Sequence, residues 1–347
     1  MALKIPFGEN PIGTRFTVSN RPRFSPTGPS WLQRWLPSTL ARDEAIVLQH
    51  IREGRFQRSL ALITAFSSLL SGLEATYEHY IGSYSQRIMY TPVVISLALL
   101  VAGIGGVFSR WMARVVLPVV SLITVLDGAV GFFMHIRGIH RKPGGWRIPI
   151  FNIVMGPPLL APLLFAISGF LGLITTFLRR EDDLRPPAKA RKPRSLWMDF
   201  LPQELTRDVS TLEQDVREGR FQRWMALATA ISAFFSGFES LYSHYKNNFT
   251  YRIEWTPILL TPAVIIAGLG SMWSRTMART LLPLTSALAL LNGMIGFFYH
   301  MRGVLRRPGG LKLPLYNIIY GPPVFAPLLF AATGFLGLLA SLLRRAK

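Results

Sequence analysis

Four of the six histidines fall into two pairs at one fixed spacing. His79 is matched by His244 and His135 by His300, since 244 − 79 = 165 and 300 − 135 = 165. Neutral imidazole is the commonest metal ligand among side chains, and two facing imidazoles are what an axially ligated haem iron takes. Glycines extend the pattern. Gly72 lies seven residues before His79, and Gly128 and Gly131 lie seven and four before His135. Gly237 stands likewise before His244, and Gly293 and Gly296 before His300. On a helix these offsets put each glycine on the face of its histidine, where a missing side chain opens a flat groove for a macrocycle. Arg137 and Arg302 follow two residues after His135 and His300, in reach of haem propionates. The constellation predicts one haem b per histidine pair. Two alternatives stand beside it: another metal on the same histidines, or no cofactor, with the glycines serving helix packing.

Glu74 and Glu239 form the second chemical feature, in the contexts SGLEATYEHY and SGFESLYSHY. Each falls inside an apolar run, where an ionisable side chain is costly and usually functional. The roles open to them are quinol or proton handling, a metal ligand beside the histidine, or a neutral carboxyl bonded across helices. Both are expected to point inward, away from lipid. Glu78 becomes Ser243 and Asp127 becomes Asn292 in the second context, so neither carboxylate is shared. Tyr77, Tyr80, Tyr242 and Tyr245 read as an interfacial aromatic belt.

The elements that position these residues are membrane spans. Half of the 347 residues are apolar, and they gather in runs of roughly 20, the length that crosses a hydrocarbon core of about 30 Å. The motif EGRFQR occurs at Glu53–Arg58 and at Glu218–Arg223, an offset of 218 − 53 = 165. The same offset, without a gap, carries Thr91-Pro92 onto Thr256-Pro257, Pro143-Gly144-Gly145 onto Pro308-Gly309-Gly310, and Gly156-Pro157-Pro158 onto Gly321-Pro322-Pro323. Register kept through loops as well as helices marks a tandem duplication. The reading is an all-α integral membrane protein with eight transmembrane helices, two parallel copies of a four-helix unit. Residues 1–29 form a basic, Pro-rich tail, 30–180 the first repeat, 181–194 a charged linker and 195–347 the second repeat.

The spans expected in the first unit are Ser59–Tyr80, Pro92–Ser109, Val115–Phe133 and Pro157–Phe177. In the second they are Trp224–Tyr245, Pro257–Ser274, Thr280–Phe298 and Pro322–Leu342. Proline at a first helical position sets the second and fourth starts. Amphipathic segments at Arg42–Gly54 and Thr206–Gly219 precede the first spans. The first and third spans rise from the same side. His79 lies 79 − 58 = 21 residues beyond Arg58 and His135 lies 135 − 114 = 21 beyond Arg114, so both histidines reach one level, roughly 32 Å up at helical rise.

The net charge is +20. Because the basic residues flank apolar runs, the charge fits anionic lipid and the positive-inside rule rather than nucleic acid. Its moderate bias places both termini and the linker in the cytoplasm, in a multi-pass protein of the cell inner membrane. There is no cysteine, which excludes disulfides and Cys-ligated clusters. The first 30 residues hold no apolar signal region, so the first span is expected to direct insertion. No HExxH, dinucleotide fingerprint or phosphate-binding loop occurs. The expected function is a membrane electron-transfer subunit linking a quinone to an external redox partner, enzymatic only through that partner. The alternatives are a transporter or channel with a path between the repeats, lined by Glu74, Glu239 and the Pro-rich fourth spans, or a cofactor-free anchor.

Overall fold

The computed structural model describes residues 37–188 and 202–346. The tail at 1–29 and the end of the linker lie outside the described residues. The chain divides into two units, Met1–Val47 and Leu48–Lys347. The described part of the first is essentially the opening of helix α1 (Ser38–Arg52). The second unit continues with α2 (Gln57–Ile81), α3 (Thr91–Phe108), α4 (Leu117–His140), α5 (Pro149–Val154) and α6 (Ala161–Phe177). After α7 (Gln203–Arg217) come α8 (Gln222–Lys246), α9 (Trp255–Trp273), the short α10 (Arg275–Arg279), α11 (Leu281–Leu305), α12 (Pro314–Ile319) and α13 (Ala326–Leu342). Element starts recur at the sequence offset: 222 − 57 = 165, 314 − 149 = 165 and 326 − 161 = 165.

Among the described residues, six helical stretches are long and apolar enough to cross a bilayer: Gln57–Ile81, Arg87–Phe108, Met112–His140, Gln222–Lys246, Arg252–Trp273 and Leu281–Leu305. Their outer faces expose large apolar side chains, Leu97, Phe108, Leu259 and Trp273 among them, while Ser68, Thr124, Ser168, Thr229 and Ser286 are buried. Such an inverted distribution is stable where the solvent is hydrocarbon. The chain is an all-α, multi-pass membrane protein.

The fourth spans depart from expectation. The helices begin at Ala161 and Ala326, not at Pro157 and Pro322. Proline disfavours the α conformation in the residue before it, so consecutive prolines keep Gly156-Pro157 and Gly321-Pro322 out of the helix. What remains is 17 residues in each case, roughly 26 Å of helix against a core of about 30 Å. The connection leading in contains α5 or α12 and a PGG turn, whose Gly144 and Gly309 take φ of +80° and +84°. Asn152 ties that turn down by donating to the Pro143 and Gly145 carbonyls at 3.0 and 2.7 Å, and Asn317 repeats the bonds to Pro308 and Gly310 at 3.2 and 3.0 Å.

Packing is cyclic. In the first half α2 packs on α3 and α6, and α4 packs on the same two; α8, α9, α11 and α13 form the second ring. The rings meet where α6 touches α8 and α13 touches α2. Glycine sets the close approaches: a Cβ on Gly103 would stand 2.8 Å from the Ala61 carbonyl oxygen, and one on Gly268 2.8 Å from that of Ala226.

The EGRFQR motif builds the seam between halves. Gly54 and Gly219, at φ of +67° and +69°, follow the ends of α1 and α7. The next residue folds back in each case, Arg55 N–H donating to the His50 carbonyl and Arg220 N–H to that of Asp215, both at 2.7 Å. This is a glycine-terminated helix end that satisfies the last carbonyls. The two glycines abut, and Phe56 stacks on Phe221 at 6.4 Å with planes 6° apart. Leu60, Met225, Leu178 and Leu343 close an apolar cluster around them. Arg180, at the end of the fourth helix, donates to the Gly106 and Val107 carbonyls at 3.3 and 3.0 Å; Arg345 donates to Ser271 and Met272 at 2.9 and 2.6 Å. Each guanidinium thus caps the orphan carbonyls at the end of α3 or α9.

His50 lies at this seam and gives stability a pH dependence. Burial first, and the charge of Arg55 second, hold its pKa below the ordinary 6.5. The unfolded chain therefore takes up a proton at pH values where the folded chain does not, so stability falls as pH drops below 6.5. Glu53 contributes in a separate window. Burial raises its pKa, but bonds from Gln49 and Arg55 outweigh it and hold the carboxyl below 4.5, so its contribution is lost only on further acidification. Thermal unfolding of His50→Gln should show a smaller loss between neutrality and pH 5 than the parent; identical pH profiles would refute the assignment.

Candidate functional site

Two groups of polar residues lie at the histidine end of the helices, opposite the seam. The first is the histidine pair of each half. His79 lies in the last turn of α2 and His135 near the end of α4. Their ring centroids are 6.5 Å apart with planes at 79°, and those of His244 and His300 are 6.3 Å apart at 85°. The expected convergence is present in both halves. His135 Nδ1 bonds the Pro158 carbonyl and His300 Nδ1 that of Pro323, each at 2.6 Å. These are carbonyls freed where the fourth helix fails to start, so each imidazole satisfies a backbone group that prolines leave open. With Nδ1 as donor, Nε2 keeps its lone pair, as in histidines oriented for a metal.

Beside the pairs the backbone is strained at matching places. Ser83, Tyr84, Asn248 and Phe249 have φ between +44° and +59°, each costing of order 1–3 kcal/mol. Ring stacking holds them there, Tyr84 on Tyr90 at 4.4 Å and Phe249 on Trp255 at 4.1 Å. The surroundings then diverge. Thr91 donates to Asp127 at 2.7 Å, whereas Asn292 donates to Thr256 at 2.7 Å. Glu254 stands 3.7 Å from His244 Nδ1, where the first half has Met89.

The glycines do not form the expected groove. A Cβ on Gly72 would lie 2.1 Å from Ser96 Oγ on α3, and one on Gly237 2.3 Å from Thr261 on α9. Gly128 and Gly131 lie against Pro162 and Ala166 of α6, and Gly293 and Gly296 against Pro327 and Ala331 of α13. All six glycines are spent on helix contact, leaving no slot for a macrocycle on the face they occupy. Arg137 and Arg302 are exposed.

The second group lies between the halves. Glu74 is within electrostatic range of Glu78 on its own helix and of Glu239 across the interface. Glu239 in turn feels Glu78 and Lys246. Glu74 Oε2 is buried without a hydrogen-bond partner. The Glu74 carboxyl therefore points inward, as expected. Tyr242 corrects the aromatic-belt reading: it is buried, and its hydroxyl donates to the Gly156 carbonyl at 3.1 Å while accepting from Lys246 Nζ at 2.7 Å. Tyr80 and Tyr245 remain exposed as belt residues. The sequence reading gives Lys246 no role and Tyr242 only that of a belt residue, although Tyr242 lies three residues after Glu239 and Lys246 four further on, spacings that share one helix face.

Three carboxyls and one ammonium leave this group short of positive charge inside a membrane, and a proton or a cation would supply it. Among the described residues no three His, Asp or Glu side chains are arranged to hold a metal ion. No family model, curated protein or solved structure matches the chain.

Proposed function

We propose that the chain is a tandem duplication of a four-helix unit, with eight helices in the membrane and the short fourth helix of each half completed by its Pro-rich lead-in. In this reading both termini and the arginine-bearing seam face the cytoplasm of a cell whose inner membrane holds the protein. Its function is transport of protons along the interface between the halves, alone or coupled to a solute. The observation that carries this is the pair Glu74 and Glu239, one from each half, within electrostatic range of each other and with an unpartnered buried oxygen. Two features support it. Broken segments at corresponding positions of two halves mark binding sites in transporters, and Tyr242 of one half meets the break of the other at Gly156. The seam end is closed by the stacked Phe56 and Phe221, so protons enter from the histidine end and leave when that stack parts. The test is proton flux in vesicles of the purified protein under an imposed potential; vesicles no leakier than protein-free ones, with every tested co-solute, would overturn it.

A second reading has one observation in its favour. Imidazole centroids 6.5 and 6.3 Å apart suit rings that each hold one metal atom at roughly 2 Å from opposite sides. Haem b in each half, passing electrons between a quinone and a redox partner, would use that spacing through His79, His135, His244 and His300. The filled glycine contacts oppose it. Absorption spectra separate the two. The proton reading expects a colourless protein, oxidised or dithionite-reduced, after expression in haem-replete cells. A reduced α-band lost stepwise in His135→Ala and His300→Ala would establish the haem instead.

A further inference from the structure

At the seam end, well away from the carboxylates and histidines, lies a cleft of about 700 Å³ between the start of α4, the end of α6 and α7. Arginines dominate its wall: Arg110, Arg114, Arg179, Arg180, Arg185 and Arg217 against Asp182 and Asp183. The acidic residues are already engaged. Asp182 lies 3.2 Å from Arg58, 3.6 Å from Arg180 and 3.8 Å from Arg110, and Asp183 accepts from the Arg185 N–H at 3.2 Å. Arg217 pairs with Glu213, but other guanidiniums are held by backbone oxygen rather than by carboxylate. Arg114 donates to the Leu178 carbonyl at 3.0 Å, and Arg179 to the carbonyls of Asp183 and Arg185. A carbonyl orients a guanidinium but does not neutralise it. Arg114 meets the like charges of Arg217, Arg180 and Arg110, opposed by Asp183. Burial, and then the charge of Arg58, push the pKa of Arg180 down, another sign of crowded cations. The rest of the wall is apolar, with Phe177, Leu184 and Pro186.

We propose that this cleft is a binding site for a phosphate group, borne by an anionic lipid of the adjoining leaflet or by a soluble phosphate compound. A planar guanidinium offers paired donors that match phosphate oxygens, and several of them oriented in advance by backbone carbonyls form such a site before the ligand arrives. The apolar wall beside Phe177 gives an acyl chain a place to lie, and the proposal stands apart from the proton reading.

Two measurements on the full chain test it. Native mass spectrometry of delipidated protein, offered phosphatidylglycerol and phosphatidylcholine together, reads the lipid source. Thermal shift in inorganic phosphate against chloride at equal ionic strength reads the soluble source. The double variant Arg110→Gln, Arg114→Gln should lose roughly thirtyfold in whichever binding the parent shows, at about 1 kcal/mol per cation near a charged surface. Arg110→Gln alone alters a side chain that is 77% exposed, and should lose about fivefold with the fold intact. Phosphatidylglycerol retained over phosphatidylcholine identifies the lipid; a phosphate-specific shift without lipid selectivity identifies the soluble ligand. No selectivity in either measurement, or selectivity unchanged in both variants, overturns the site.

Discussion

Glu74→Gln and Glu239→Gln should each lower proton flux through reconstituted vesicles by roughly a hundredfold, the lower range for removing a positioned proton-transfer group. Glutamine keeps the shape and much of the hydrogen-bonding capacity of the carboxyl, so only titration is lost. Stability should move the other way. Glu74 Oε2 is buried without a partner, and an uncompensated charge in such a place destabilises the fold. The thermal midpoint of Glu74→Gln should therefore match or exceed that of the parent. This pairing of results separates transport from scaffolding, because a carboxyl kept only for packing leaves flux untouched. Glu78→Gln should cost less, since its counterpart is Ser243 and the second half works without a carboxyl there. Folded Glu74→Gln and Glu239→Gln proteins with parental flux would end the proposal.

What the sequence made legible follows from local geometry. The 165-residue offset recurs in the starts of α2 and α8, α5 and α12, and α6 and α13, and the equal 21-residue rise from Arg58 and Arg114 puts both histidines of a pair at one level. Their common level needs no knowledge of neighbours, because rise is set within each helix; that the two rings meet depends on the bundle. The glycines show where such reasoning stops. Seven residues back from a histidine is the same helix face, and the structure keeps that relation. His135 bonds the carbonyl of Pro158 just before α6, and Gly128 lies against Pro162 and Ala166 of α6 itself. The face was legible; the neighbour was not. Which helix a face meets depends on the cyclic order of the bundle, and one helix carries no record of that order. Tyr242 was misplaced for the opposite reason. Tyrosine near a helix end suits a membrane interface on average, and that average outweighed its local spacing from Glu239. The fourth helices are four residues shorter than a proline at the first helical position implies, because the second proline behind it holds the first out of the helix.

The same limit explains why EGRFQR, the clearest repeat in the chain, gave no hint of its role, and it leads to the largest expected effect on stability. Gly54→Ala and Gly219→Ala should each destabilise the protein by at least about 3 kcal/mol, combining a left-handed residue that now carries a Cβ with an unrelieved clash. At Gly54 the added carbon would stand 2.7 Å from the Arg217 oxygen and the Gly219 nitrogen; at Gly219 it would stand 2.6 Å from the Gly54 nitrogen. These are backbone atoms, with no rotamer through which to retreat. Moving them apart unstacks Phe56 from Phe221, which is 1% exposed and central to the apolar cluster. Gly82→Ala is the matched control, because its φ is −73° and the new carbon comes no closer than 3.5 Å to any atom. Gly54→Asn divides the two costs: asparagine tolerates the left-handed region, so it removes much of the dihedral penalty but keeps the clash. Thermal unfolding in detergent should rank the midpoints as parent and Gly82→Ala highest, Gly54→Asn lower, and Gly54→Ala with Gly219→Ala well below the parent. A Gly54→Asn protein as stable as the parent would mean that the dihedral alone reserves this position for glycine. A Gly54→Ala protein at the parental midpoint would mean that the halves do not meet there, and the interface that positions Glu74 opposite Glu239 would have to be sought elsewhere.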